Sequence, residues 1–272
     1  MFSLSLDPQS VIDSPPILTY HKVERRPELG ITWISPERFE RHIRFLQEFG
    51  YATIHLREAA ALLRGGTVLP PSIIAITFDD GYQGILDSAL PVLQQCGFTA
   101  TVFVVTGYVG RMNTWDVNLG WRAFPHLDWE GLGRLLDADV EVGSHTVSHR
   151  DLTTLSCDQA SEEIEGSREE LRRRLGVQAD ILSYPFGRYN DAIIALTKRA
   201  GYAAACSLRS SRGDDLFSLR QRGVYAIDTL LDLRWKLRRS PFSWLEMIKL
   251  RMIAGFSYGT ILAQTVREML KT

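Results

Sequence analysis

The sequence predicts an α/β chain, built as one parallel βα domain of barrel size with a helical extension at its C-terminal end. Three observations predict this. Short β-branched apolar runs alternate with amphipathic helical stretches. The run Ile73–Phe78, IIAITF, is almost wholly apolar, as a strand covered on both faces must be. No long linker interrupts residues 17–230 of the 272-residue chain, and α/β barrels commonly reach about 250 residues as one domain. The expected division is a barrel over residues 1–233 and a helical extension over 234–272.

Each element follows from local signals. Ile17–Tyr20 is a short apolar strand behind two prolines, ending at His21. Ser35 before Pro36 marks a helix start, and Phe39, Ile43 and Leu46 share one face before the stop at Gly50. A strand over Tyr51–Ile54 and a helix near Arg57–Arg64 follow. Ile73–Phe78 ends at Asp79-Asp80-Gly81. A helix carrying Ile85, Leu86, Leu90 and Leu93 runs to Gly97, and Thr101–Val105 is a second buried strand. Asp128 caps a helix through Asp137. Val140–Val142 is a strand ending at Gly143-Ser144-His145. Ser156 with Gln159 forms a capping box, ahead of a helix with Ala160, Ile164, Leu171 and Leu175 on one face and a stop at Gly176. Ile181–Tyr184 leads into Pro185-Phe186-Gly187. Asn190 caps a helix closed by Gly201, and Tyr202–Cys206 is a further strand.

Composition narrows the function classes. A content of 45% hydrophobic and 23% charged residues excludes a disordered chain, a collagen and a disulfide-stapled scaffold. A net charge of -1 argues against a globally basic nucleic-acid binder. Cys96, Cys157 and Cys206 are few, odd in number and far apart, which fits reduced thiols. The N-terminal stretch lacks the basic and apolar regions of a signal peptide, and no run is apolar enough to span a membrane, so the expected location is cytoplasmic. From Arg234 to Thr272, eight Lys or Arg face two acids, among Trp235, Phe242, Trp244, Met247, Ile248, Met252, Ile253 and Phe256. Such a segment suits peripheral contact with an anionic membrane surface, or a helical pair packed on the barrel.

The polar chemistry falls at strand ends. His21, Asp79, Asp80, His145 and the Pro185 turn each follow a predicted strand, and in a βα barrel those loops share one face. Asp79 and Asp80 are adjacent carboxylates at the mouth of an apolar strand. Asp-Gly also makes turns, but alternation would aim the two carboxylates differently, one toward a cation and one toward a proton. His145 and His149 are four residues apart, so a helical backbone would place both imidazoles on one face. One carboxylate with two imidazoles makes three ligands, leaving open positions as in a catalytic metal site. The other Asp is then a general base, and His21 is of the right type to protonate a leaving amine.

At TFDDG (Thr77–Gly81), HTVSH (His145–His149) and YPFG (Tyr184–Gly187), the sequence resembles the polysaccharide deacetylase family, the NodB-like carbohydrate esterases with a distorted (β/α) barrel. The resemblance spans roughly residues 17–228. It implies Asp79 as catalytic base and Asp80, His145 and His149 as ligands of a divalent metal, with zinc, cobalt, nickel or iron all suiting the donor set. It implies that the Phe186 N–H holds the developing oxyanion. Tyr184, Pro185 and Trp115 are placed at the substrate, and Trp121, Trp129 and Tyr189 lie in or near the same loops. Two departures stand out. Ser183 occupies the position of a family Arg that orients the base, with Arg188 a candidate replacement. The late family Leu-His has no counterpart in Arg222–Asp228, whereas LTYHKV resembles the N-terminal Tyr-His of poly-N-acetylglucosamine deacetylases, placing His21 as the acid. The implied reaction is removal of N-acetyl groups from a sugar of a polysaccharide or a lipid-linked glycan. Hydrolysis of a formamide or cyclic amide, or glycan binding without catalysis, are the alternatives.

Overall fold

The computed structural model describes residues 14–26, 31–114, 123–209 and 215–238. Trp115, Trp121 and the basic, aromatic run from residue 239 onward lie outside the described residues. The elements are β1 (Ile17–Tyr20), β2 (Lys22–Val23), β3 (Trp33–Ile34), α1 (Pro36–Glu48), β4 (Ala52–Thr53), α2 (Leu56–Arg64), β5 (Ile73–Phe78), α3 (Leu90–Cys96), β6 (Thr101–Val104), α4 (Trp129–Asp137), β7 (Glu141–Ser144), α5 (Cys157–Leu175), β8 (Ile181–Ser183), α6 (Asp191–Arg199), β9 (Ala204–Ser207), β10 (Leu219–Gly223) and α7 (Leu230–Lys236). Seven parallel strands close in the order β1-β10-β9-β8-β7-β6-β5, and β5 returns to β1 with Ile17 opposite Ala75 and Tyr20 opposite Phe78. β4 pairs only with the start of β5, and β2 and β3 form a separate small pair.

The helix signals act as the sequence implies. Ser35 and Asp128 accept backbone N–H groups at the starts of α1 and α4, and both halves of the Ser156–Gln159 capping box are made. Gly97 and Gly176 end α3 and α5 in left-handed conformations. The helix expected from Ile85 begins instead as a π-turn over Ile85–Ala89. Pro91 lacks an N–H and its ring crowds the carbonyl one turn back, which breaks the regular α register there.

Three elements escaped the sequence reading: the β2–β3 pair, β10 and α7. β10, LRQRG, alternates polar residues because its inward positions climb toward a polar mouth, so no apolar signal marks it. α7 docks through a buried ion pair, Lys236 Nζ to Asp228 Oδ2 at 2.5 Å, and the ammonium also donates to the Gly223 carbonyl at 2.6 Å. Cys96, Cys157 and Cys206 form no disulfide. No described helix is long and apolar enough to cross a membrane.

The barrel interior changes character along its axis. Ile17, Ala75, Phe103, Ile181 and Leu219 pack together near the base, against Leu56 and Ala60 of α2. Two residues further along the strands, Thr77 Oγ1 donates to Thr19 Oγ1 at 2.8 Å, and Ser183 and Gln221 meet at 3.3 Å. The period of two thus lifts an apolar floor into a polar layer, with the strand ends above it.

Candidate active site

Continuing the alternation of Ala75 and Thr77, two positions beyond Thr77, comes Asp79, almost wholly buried (2% exposed). Gln221 Nε2 donates to Asp79 Oδ1 at 3.1 Å, and Ser183 Oγ donates to Oδ2 at 3.3 Å. Among the described residues, no Arg is seen paired with this carboxylate. Arg188, the candidate replacement for the family Arg, pairs with Asp151 at 2.7 Å, and the neutral Ser183 and Gln221 hold Asp79. Burial lifts the Asp79 carboxyl to about 7, and the two donors pull it back only partly.

Asp80 departs from strand alternation. β5 ends at Phe78, and Asp80 and Gly81 both take left-handed backbones, with φ 73 for each. This reversal turns the Asp80 carboxylate to the same mouth as Asp79. Its Oδ1 lies 3.5 Å from His145 Nε2 and 3.4 Å from His149 Nε2. The Asp80 carbonyl lies 2.9 Å from Nδ1 of His126, a buried imidazole stacked on Tyr82 at 4.7 Å. His126 carries no motif signal and was missed; its role follows only from the fold of the β6–α4 connection.

His145 extends the inward alternation from Gly143, whose missing side chain leaves room for the Phe103 ring. Its Nδ1 lies 2.7 Å from the Ser183 carbonyl, which places the proton on Nδ1 and leaves the Nε2 lone pair toward Asp80. The expected helical HxxxH geometry is not found. Residues 145–149 form a loop in which Thr146 and His149 are left-handed, with φ 67 and 57. The loop nevertheless brings the rings within 4.7 Å, at 68° to one another. Burial lowers His145 to about 4 and His149 well below its usual range, so both imidazoles are neutral near pH 7, the state a metal ligand requires.

One carboxylate oxygen and two imidazole nitrogens, all within 4.8 Å of one another and all buried, fit a divalent ion. The donor set is mixed N and O with no thiolate, which does not discriminate among zinc, iron, cobalt and nickel.

His21 stands at the end of β1, half-buried, close enough to His145 for that ring to depress its proton affinity. Burial, His145 and Lys22 together lower it to about 3. Phe186 also takes a left-handed backbone, φ 56, and its ring meets the His149 ring edge-on at 4.6 Å. Tyr184 is not at the mouth: its ring is buried in the cluster of Leu152, Ile164 and Ile193 and stacks on Tyr189 at 5.1 Å. Pro185 is buried beside it. Trp129 opens α4 and packs beneath the Arg174 guanidinium, 5.5 Å away, on the outer wall. Gln221 was also missed, since its strand carried no apolar pattern, and Ser183 was noted only for the Arg it replaces.

Comparison with known proteins identifies the family and the fold. The family description "polysaccharide deacetylase" matches residues 67–205, just over half the chain. The YxkH protein of Bacillus subtilis (strain 168) is 28% identical over 212 residues, covering 78% of this chain and 69% of that protein. The poly-beta-1,6-N-acetyl-D-glucosamine N-deacetylase of Staphylococcus epidermidis is 27% identical over 209 residues, covering 68% of each. Among solved structures, the Streptococcus pyogenes deacetylase PplD superposes with a TM-score of 0.72 at 22% identity, over 82% of this chain and 98% of that one. IcaB from Ammonifex degensii gives 0.70 at 23%, over 83% and 98%. Both share the fold. With its barrel, its motifs and this match, the chain belongs to the polysaccharide deacetylase family, hydrolases of the carbon–nitrogen bond in N-acetylated sugars.

Proposed function

We propose that the protein removes N-acetyl groups from a sugar of a polysaccharide or lipid-linked glycan, releasing acetate and a free amine, with a divalent metal held by Asp80, His145 and His149. The observation that carries this reading is the double contact of Ser183. Its hydroxyl holds Asp79 and its carbonyl orients His145, so one residue ties the base to the ligand set.

A bound divalent ion supplies Lewis-acid polarisation of a carbonyl and lowers the pKa of water toward neutrality. Asp79 accepts the proton of the attacking water, its oxygens kept in place by Gln221 and Ser183. The Phe186 N–H donates to the developing oxyanion; such a donor is typically worth ~2.7–4 kcal/mol of barrier. His21 protonates the departing nitrogen. Because His21 is neutral in the free protein near pH 7, the proton it delivers is gained during the reaction, from the one Asp79 has taken.

Acetate release from N-acetylglucosamine oligomers tests the reading. Activity is expected to vanish after chelation and to return with zinc or cobalt. Formate release from N-formyl sugars without acetate release would favour the deformylase alternative. Oligomer binding with neither product would favour a non-catalytic role.

A further inference from the structure

We propose that Glu163 is a positioning residue that holds the His145–His149 loop in its ligating shape; this rests on the reading of Asp80, His145 and His149 as a metal site. Thr146 and His149 both sit in the left-handed region, which non-glycine residues adopt only when their surroundings hold them there. The restraint comes from α5. That helix buries Ala160, Glu163, Ile164, Ser167 and Leu171, a stripe in which Glu163 is the one ionisable residue. Its side chain points at the loop. Val147 N–H donates to Oε2 at 2.9 Å and Ser148 N–H donates to the same oxygen at 2.8 Å, while the Ser148 hydroxyl donates to Oε1. Two successive N–H groups converging on one carboxylate form an anion nest, closed here by the chain's own side chain.

The rest of the loop is braced against this anchor. Ser167, one turn along α5, meets Ser144 Oγ at 2.6 Å, and Ser144 Oγ accepts the Thr146 N–H at 3.2 Å. From the opposite side, Thr106 and Gly107 donate their N–H groups to the Thr146 and Val147 carbonyls at 3.1 and 2.8 Å. A Cβ on Gly107 would lie 2.6 Å from the Val147 oxygen, so the loop is clamped between α5 and the end of β6. Glu163 sets the backbone from which both imidazoles project, and it acts through that backbone.

The test is Co(II) binding to chelator-stripped full-length protein, followed by visible absorption and by competition with a chelator, alongside the melting temperature of the metal-free form. Removing a group that orients metal ligands typically weakens affinity ~10–100-fold, and Glu163→Ala is expected to fall in that range. Glu163→Gln keeps an oxygen for the two N–H groups and an amide that can donate to Ser148 Oγ, so it is expected to stay nearer wild type than E163A. Glu163→Asp, one methylene too short to reach both N–H groups, is expected to lie between them. If E163A does not fold, E163D against wild type decides. Unchanged Co(II) affinity in E163A or E163D, whatever their melting temperatures, overturns the proposal, as does an E163Q loss equal to that of E163A. No Co(II) binding by wild type overturns the metal reading itself, and this inference with it.

Discussion

Asp79→Asn separates stability from turnover at one side chain, and the two are expected to move in opposite directions. In the metal-free protein, burial raises the Asp79 carboxyl from 3.8 to about 7. The folded state therefore holds this proton more tightly than the unfolded chain does. Below ~pH 4 both states are protonated and the residue is indifferent to folding. As pH rises from there to about 7, the unfolded chain ionises first and the folded state loses ground. Above pH 7 the folded protein carries a buried charge at a cost of about 4 kcal/mol, from roughly three pH units at ~1.36 kcal/mol each. Asn has nearly the same shape and no charge, and it keeps an oxygen for Gln221 Nε2 and an amide that can face Ser183 Oγ. Asp79→Asn is thus expected to stabilise the chelator-stripped protein by up to ~4 kcal/mol at pH 8 and by only ~1 kcal/mol at pH 4.5, where the unfolded carboxyl has begun to ionise. For a domain of this size that is ~10 °C in melting temperature at pH 8. Acetate release by the metal-loaded variant is expected to fall ~10²–10⁴-fold with the general base gone. Calorimetry of both proteins at the two pH values and a coupled acetate assay measure the two effects. A stability difference independent of pH would refute the account of Asp79 burial. Wild-type turnover by the variant would refute its role as base.

Two further predictions concern other residues. His21→Ala is expected to slow acetamide hydrolysis ~10²–10⁴-fold while sparing an activated acetate ester, whose leaving group needs no proton; equal losses on both substrates would remove His21 from the acid role. Lys236→Met takes the ammonium away from buried Asp228 and is expected to destabilise the fold by ~3–5 kcal/mol in urea titrations, with Asp228→Asn in the same chain recovering much of the loss; a near-neutral single variant would show that α7 does not depend on this pair.

Much of the fold was legible because its signals are local. Caps at Ser35, Asp128, Ser156 and Asn190, together with the glycine stops, placed α1, α4, α5 and α6, and apolar runs placed β1, β5 and β6. β10 was illegible because only Leu219 of its inward face joins the core, and Gln221, two residues on, stands where a buried strand would show an aliphatic residue. The HTVSH spacing pointed to two imidazoles that the structure does bring together, but through a loop and not a helix. Four residues separate the rings in a helix and also in this loop, and only the left-handed Thr146 and His149 distinguish the two.

By itself, the sequence determined which strand ends carry carboxylates and imidazoles, because strand ends follow from composition over a few neighbouring residues. Only the tertiary structure decided how those groups meet. Asp80 turns inward through a backbone reversal, Ser183 and Gln221 hold Asp79, Arg188 goes to Asp151, and Tyr184 sinks into the core. Those outcomes depend on groups as far apart in the chain as Asp79 and Gln221 being brought together by barrel closure, and no local pattern carries that information.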